Sequence, residues 1–477
     1  MAVRHTEWCL ELAEEAATHR TARPWLRRVA ADYDNLRAAL DRAVAAPDPE
    51  TALRLAAALA WYWWTDRTIE GRQLLAGALA LADGQPPTPQ LARALQAAAM
   101  LEVSLTPSAA TTAAARRSLE LFERFGDRWG AAFSKLLLAF AQLQRVGPDE
   151  EGARLVEEAD ETFAELGDPW GEAYAQSAWF AAESYFGEPA RARFSFEAYH
   201  RGLSAEAEEA GQRALAQFRA LDDRWGLSQT WFSLAEIAKA RGDLDAAEAA
   251  YQAALAAARE GGPLWALLAS LGGLGGLLTL RGDDAQAASV YAEAVDLYRH
   301  TGQRRGFAHL YNALGDAARV RGDLERARRL HSEALAIVRG LIGWSVPHTL
   351  VQLACAEARL GDLEAAERHL AEAAGLLLAI PQPATAAVAL VGAALVALGR
   401  DRPEEAARLL AAAEAVRERS GFTAVGAERH EAELAGDAVR ARLDPDALAA
   451  AQADGRALAA VEVLRELVAR AATWADH

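Results

Sequence analysis

Lysine is nearly missing from this 477-residue chain. Only Lys135 and Lys239 occur, while arginine and alanine are abundant. That bias points to a GC-rich genome rather than to a mechanism. Cysteine is as scarce, with Cys9 and Cys355 far apart in sequence. The pair excludes a disulfide framework and a zinc site, and fits a cytoplasmic protein. No uncharged apolar run reaches the roughly 18 residues that a membrane helix needs. The opening "MAVRHTEWCLELAEEA" carries acids early and lacks the apolar block of a signal peptide. Positive charge is in deficit too, the formal net charge being -17. Such a chain repels a phosphate backbone unless one face is strongly basic. Its arginine clusters, such as Arg326, Arg328 and Arg329, alternate with acids and read as a solvated, ion-paired helix face. Direct nucleic-acid binding is not expected.

A catalytic set is lacking as well. The histidines are scattered and none shows the His-Glu-x-x-His spacing. Serine stands near histidine in "HRGLS" and "HSEAL", without an orienting acid or an oxyanion hole. No enzyme activity, cofactor or metal is expected.

What is present is a period. Gly242, Gly282, Gly322 and Gly361 lie about 40 residues apart, each followed by Asp. Small residues follow at Ala247, Ala287, Ala327 and Ala366, and again at Ala254, Ala294, Ala334 and Ala373. Between them sit Tyr251, Tyr291, His331 and Leu370. The pattern predicts two helices per unit. Glycine ends the first in a left-handed cap, and aspartate caps the second. Alanines seven apart share one helix face and let neighbours approach, while the large residue fills the gap between them. Ala235, Gly275 and Gly315 hold the corresponding small position of the first helix. The run "GGLGGLL" at 272–278 falls at that position, so close packing is expected there rather than a phosphate loop.

A second motif recurs as "FGDRWGAAF", "LGDPWGEAY" and "LDDRWGLSQ". Its acids, Asp127, Asp168 and Asp223, are expected to cap first helices, with the tryptophan covering the joint between units. The spacing fails once, around 184–204, where an aromatic and basic stretch adds about 15 residues. That excess reads equally as a functional loop or as an extended turn. Trp61, Tyr62, Trp63 and Trp64 are expected to anchor a core. "AAAEAVRERSGF" and "DPDALAAAQADGRALAAVEVLRELVARA" read as terminal capping helices, the second opened by Asp444 and Pro445.

The repeats resemble the tetratricopeptide repeat over about residues 125–375, although a unit of about 40 exceeds the usual 34. The expected fold is all-α: a right-handed α-solenoid superhelix. Residues 1–85 would form an N-terminal helical region, 86–375 the array, and 376–477 a last repeat with capping helices.

The stretches "RHTEWCLELAEEA", "WLRRVAADYDNLRAAL" and "AAALAWYWWTDRTIEGRQLLAGAL", with the closing helices, resemble more: the C-terminal sensor region of AfsR-like and MalT-like STAND-type bacterial transcriptional regulators. That resemblance implies a sensor and scaffold in signal transduction and transcription regulation. It would bind a peptide, protein or small inducer and act on an attached or associated STAND ATPase. Neither Lys135 nor Lys239 follows a phosphate-binding loop, and no DNA-binding module precedes Arg4. ATP hydrolysis and DNA binding are therefore not expected of this chain. A free-standing adaptor for a peptide or protein is the alternative.

Binding is expected on the concave face, lined by first helices. Counting from the small residue, its exposed places are Gln229, Phe232, Glu236 and Lys239 in one unit, and His309, Asn312, Asp316 and Arg319 two units on. An earlier unit adds Tyr174, Ser177 and Ser184. Between the polar rungs lie Ala269, Gly272, Gly276 and Thr279, a candidate recess. Glu236–Lys239 and Asp316–Arg319 also read simply as ion pairs three residues apart.

Overall fold

The glycine–aspartate pair that punctuates the sequence makes a corner. In a computed structural model of the chain, Gly242 sits at φ 81° and Gly361 at φ 84°, where a side chain would be strained. The aspartate behind each glycine then starts the next helix: the Ala246 amide donates to Asp243 Oδ1 at 3.0 Å, and that of Ala365 to Asp362 Oδ1 at 3.3 Å. The structure describes residues 2–105, 108–146, 150–175, 205–262, 264–301, 304–341, 345–379, 381–420 and 423–472. Among them the regular elements are all α-helices, and none is long and apolar enough to cross a membrane.

The helices pair and stack as a right-handed α-solenoid. Arg224–Ala240 packs on Leu244–Arg259, Leu264–Leu280 on Asp284–Thr301, Arg304–Val320 on Leu324–Leu341, Val346–Leu360 on Leu363–Ala379, and Pro383–Gly399 on Pro403–Ser420. The small-to-large packing has a direct cause. A Cβ on Gly275 would fall on the Tyr291 ring, and one on Gly315 on the His331 ring. The second helix thus presses its ring into the notch of the first. Gly272 packs against the backbone of Leu310 in the next unit, and Thr279 is buried. The expected recess at Ala269, Gly272, Gly276 and Thr279 is therefore corrected at Gly272: its missing side chain lets two first helices meet.

In the other half the Trp-Gly motif builds the joints. The amides of Gly130, Gly171 and Gly226 donate to Asp127, Asp168 and Asp223 at 2.9, 3.2 and 3.0 Å, so the three acids cap as expected. Each glycine leaves room for a phenyl ring from the preceding helix: Phe122, Phe163 and Phe218. The first two joints also reach forward. The Trp129 indole N–H donates to Asp168, the next unit's cap, and the Trp170 indole to Asp223 at 2.7 Å. This chain of donors stops at Trp225, whose buried Nε1 has no hydrogen-bond partner among the described residues. Two residues before Trp265 stands Pro263, which offers no carboxylate.

The N-terminal helices close over these joints. Arg20 donates to both oxygens of Asp168 at 3.0 and 2.6 Å, and Thr21 Oγ1 donates to Asp223 at 2.8 Å. Burial alone raises the Asp168 carboxyl, but Arg20, the Trp129 indole and the Gly171 amide hold it below the usual range. From helix Pro49–Thr65, Trp63 and Trp64 are buried as expected. The Trp61 ring lies 5.4 Å from that of Trp170, and Trp64 lies 4.1 Å from Trp225.

The end of the chain departs from the expected caps. "AAAEAVRERSGF" largely belongs to Pro403–Ser420, the second helix of a unit. The closing stretch is two helices, Pro445–Ala457 and Ala460–Ala472, broken where Leu458 turns extended. Asp444 does cap the first of them, accepting from Ala447 at 2.8 Å. Between the two parts an unanticipated helix, Gly426–Arg440, packs against the second helix Pro403–Ser420 and against three first helices, Pro383–Gly399, Arg304–Val320 and, at its edge, Leu264–Leu280.

Candidate functional site

The polar side chains of the first-helix face converge under this crossing helix. Arg319 is fully buried near the end of Arg304–Val320. Its Nη2 donates to Asp316 Oδ1 at 2.8 Å and to Gln352 Oε1. Its Nη1 donates to Glu431 Oε2, also fully buried, at 2.8 Å. Arg359 donates to the Arg319 carbonyl at 2.8 Å and places its Nη1 3.6 Å from Glu431 Oε1. One carboxylate is thus gripped by arginines of two successive units. Burial disfavours the Arg319 charge, but Glu431 and Asp316 outweigh it and raise the pKa. Burial raises the Glu431 carboxyl, although Arg319 and Arg359 pull against it.

A second branch runs beneath. Asn312 Nδ2 donates to Thr349 Oγ1 at 2.9 Å, which leaves its Oδ1 to face His331 Nδ1 at 3.1 Å. His331 is fully buried, and burial drops its pKa to about 3, so the ring is neutral. His348 lies 3.4 Å from Gln352 and feels the charges of Asp316, Lys239, Arg319 and Glu236. Lys239 holds Glu236 at 2.6 Å, and the Tyr251 hydroxyl donates to the same carboxylate. Burial pushes Glu236 up, but Lys239, Tyr251 and His309 together hold it low.

The expected residues therefore divide. Asn312, Asp316 and Arg319 share one cluster, and its field extends through His348 to Glu236 and Lys239. Glu236, Lys239, His309 and Asp316 are half-buried. The expected exposure of Gln229, Phe232, Asn312, Arg319 and Tyr174 is corrected, because all five are buried. Phe232 packs edge-on against Trp265, 5.9 Å between ring centres, and Tyr174 stacks on Trp170 at 5.1 Å. Ser177, Ser184 and the 184–204 stretch lie outside the described residues.

Sequence reasoning missed Glu431, Arg359, Gln352 and His331. His331 carried a signal: a polar ring in the slot that Tyr251, Tyr291 and Leu370 fill elsewhere. The same offsets taken one unit further reach His348 and Cys355. Chemically the cluster holds a carboxylate. Burial pushes the Cys355 thiol well above its ordinary range, the reverse of an activated nucleophile. Elsewhere, a cleft of about 1300 Å³ opens between the N-terminal helices and the unit that begins at Arg224. Its charges are largely balanced, with Arg224 on Glu260 at 3.0 Å and Arg259 on Glu293 at 2.7 Å.

Comparison with known proteins agrees with this architecture. No curated protein matches the chain in sequence. The architecture is similar to that of a Rap protein complexed with competence and sporulation factor, at 11% identity and a TM-score of 0.52, covering 79% of this chain and 97% of that one. The apo form of the quorum sensor NprR from B. thuringiensis aligns at 13% identity and a TM-score of 0.47, covering 78% and 98%. A STAND protein with a tetratricopeptide repeat sensor, from Pyrococcus horikoshii, aligns at 14% and 0.42, covering 77% and 52%. Residues 226–300, the two units that precede the polar cluster, match the tetratricopeptide repeat family.

Proposed function

We propose that this chain is a binding sensor and scaffold whose first-helix face takes a segment of a peptide or protein partner. The observation that carries this reading is the cluster around Arg319: polar groups from successive first helices converge on a carboxylate of a helix lying across them. Repeat arrays present extended inner surfaces of this kind. The Rap structure, with its bound factor, offers a precedent on a similar fold. A photo-crosslinking side chain at position 309, on this face, should capture a partner in the native cell. The same group at position 325, exposed on a second helix, should not. Equal capture from both positions would sink the reading.

The opening and closing motifs support a finer assignment, the sensor region of a STAND-type transcriptional regulator in the cytoplasm. Partner binding would change the curvature of the array and so bias an attached or associated ATPase. The alternative is a free-standing adaptor. An antibody to the array, used on the native cell, separates them. A band well above the 51.0 kDa of this chain supports the regulator, and a band at that mass supports the adaptor.

A further inference from the structure

The first-helix face is already occupied, and its occupant is part of the chain. Gly426–Arg440 lies across three first helices with one flank on Pro403–Ser420, and just before it Thr423 rests against Gly242. This helix is held in an unusual way. Its buried stripe is Ala427, Glu431, Ala435 and Val439, two methyl groups and one valine around a carboxylate. The neighbouring helix Pro383–Gly399 buries most of its length in aliphatic side chains. A helix with so little apolar surface to bury gains little from the hydrophobic effect. Its specific anchors are ionic: Glu431 on Arg319, and Glu428 on the buried Arg417 at 2.7 Å. Buried ion pairs are weak sources of net stability, because desolvation offsets their attraction, and they serve better to choose a partner.

The fit at Arg319 is also incomplete. Among the described residues buried Arg319 Nε makes no hydrogen bond, and buried Glu431 Oε1 has only the looser approaches of Arg359, at 3.6 Å, and of the Cys355 thiol. The guanidinium thus gives the carboxylate one N–H where its planar fork can give two. Without Glu431, Arg319 keeps Asp316 and Gln352, so the receptor half of the contact stays built.

We propose that Gly426–Arg440 is a resident occupant of the partner site, and that the partner is an acidic amphipathic helix which displaces it by bringing its own carboxylate to Arg319. This rests on reading the first-helix face as the binding face. The partner helix carries a glutamate or aspartate flanked by small residues four positions on either side, as Glu431 is flanked by Ala427 and Ala435. Larger residues there do not fit over the first helices. A tethered occupant competes at high effective concentration, so the intact chain answers only to a partner that grips the arginine better.

The test uses the full chain and a fluorescent synthetic peptide of residues 423–442. In the Glu431→Gln chain the resident helix loses its charge while keeping its shape. That chain should bind the peptide about tenfold more tightly than the unaltered chain, as relief of a competing occupant requires. A peptide carrying Gln in place of the glutamate should lose about tenfold on the same chain. Equal binding by the two chains, or by the two peptides, overturns the proposal. Hydrogen exchange on the unaltered chain is a second arm that needs no variant. Amides of 426–440 should exchange at least about tenfold faster than those of 383–399, and equal protection overturns the proposal. Crosslinking from position 309 without any peptide discrimination would leave the binding face standing and remove only the resident occupant.

Discussion

Both halves of the solenoid carry a covering segment, and the two covers are made of opposite materials. Over the first half, helix Pro49–Thr65 and the Arg20–Thr21 turn press tryptophans and a bidentate arginine onto the unit joints. Over the second half, Gly426–Arg440 brings alanines and glutamates. The first cover buries large aromatic rings, which dominate packing energies. Its acids are well satisfied: Asp223 accepts from Thr21, Trp170 and Gly226. Under the second cover the buried Arg319 Nε makes no hydrogen bond among the described residues, and Glu431 Oε1 is met only loosely, by Arg359 at 3.6 Å and the Cys355 thiol. A cover that buries large rings and pairs its acids is a wall. One that buries little and leaves donors open has the properties of a door.

The largest effect that would sharpen this contrast is expected at Asp223. It is almost fully buried and serves at once as helix cap, joint and anchor. Asp223→Ala strips a helix N-terminus of its cap and strands two buried donors, which should cost about 3 kcal/mol or more. Asp243→Ala removes only an exposed cap and should cost about 1 kcal/mol. Hydrogen exchange read by segment is the measurement. In Asp223→Ala, residues 49–175 should lose protection while 346–420 keep theirs. Equal loss in both segments would mean that the two halves are one cooperative body, and the comparison would break.

A smaller effect tests the polar half through pH. His331 sits between Asn312, Asp316, Arg319 and His348, and burial holds its pKa near 3. Between the ordinary histidine value and that depressed one, the unfolded chain takes up a proton that the folded chain refuses. Stability is therefore fully present above about pH 6.5 and falls as the pH drops, by about 2 kcal/mol at about pH 5. His331→Leu borrows the residue that fills this slot at Leu370. It should weaken the fold at neutral pH, because Asn312 loses a partner, yet flatten the pH slope. Melting temperatures at the two pH values, in both proteins, read the slope. An unchanged slope would show that His331 is not the titrating group.

How much of this was legible in the sequence depends on the range of each interaction. The repeat was legible because its signals are local. The Gly242–Asp243 corner and the Ala247/Ala254 stripe act within one helix pair, and so do the caps at Asp127, Asp168 and Asp223. The second role of those caps was hidden, since the Trp129–Asp168 and Trp170–Asp223 bonds join residues one unit apart. The polar rungs were found, and Asp316 and Arg319 do meet. Their burial was not foreseen, because nothing periodic in "GAERHEAELAGDAVR" announces that Glu431 returns across 112 residues to Arg319. Tyr174 and Phe232 were misplaced for a related reason. Offsets along one helix say which way a side chain points, but not that Trp170 or Trp265 waits there to cover it.

The smallest effect compares two tryptophans of the same motif. Trp170 and Trp225 are equally buried, each beside the ring of Tyr174. Trp170 donates to Asp223, whereas the Trp225 indole has no acceptor among the described residues. Trp→Phe shortens the ring in both places, so the packing loss is largely common to the two variants. Only Trp170→Phe also breaks a hydrogen bond to a buried carboxylate, and only Trp225→Phe removes an unmatched buried donor. Trp170→Phe should therefore be the more damaging by about 1–3 kcal/mol, read from urea midpoints at equal slope. If the two variants cost the same, the forward bonds from tryptophan to aspartate add nothing to the joints. The wall would then stand on aromatic packing alone, and its difference from the door would lie in apolar area rather than in polar satisfaction.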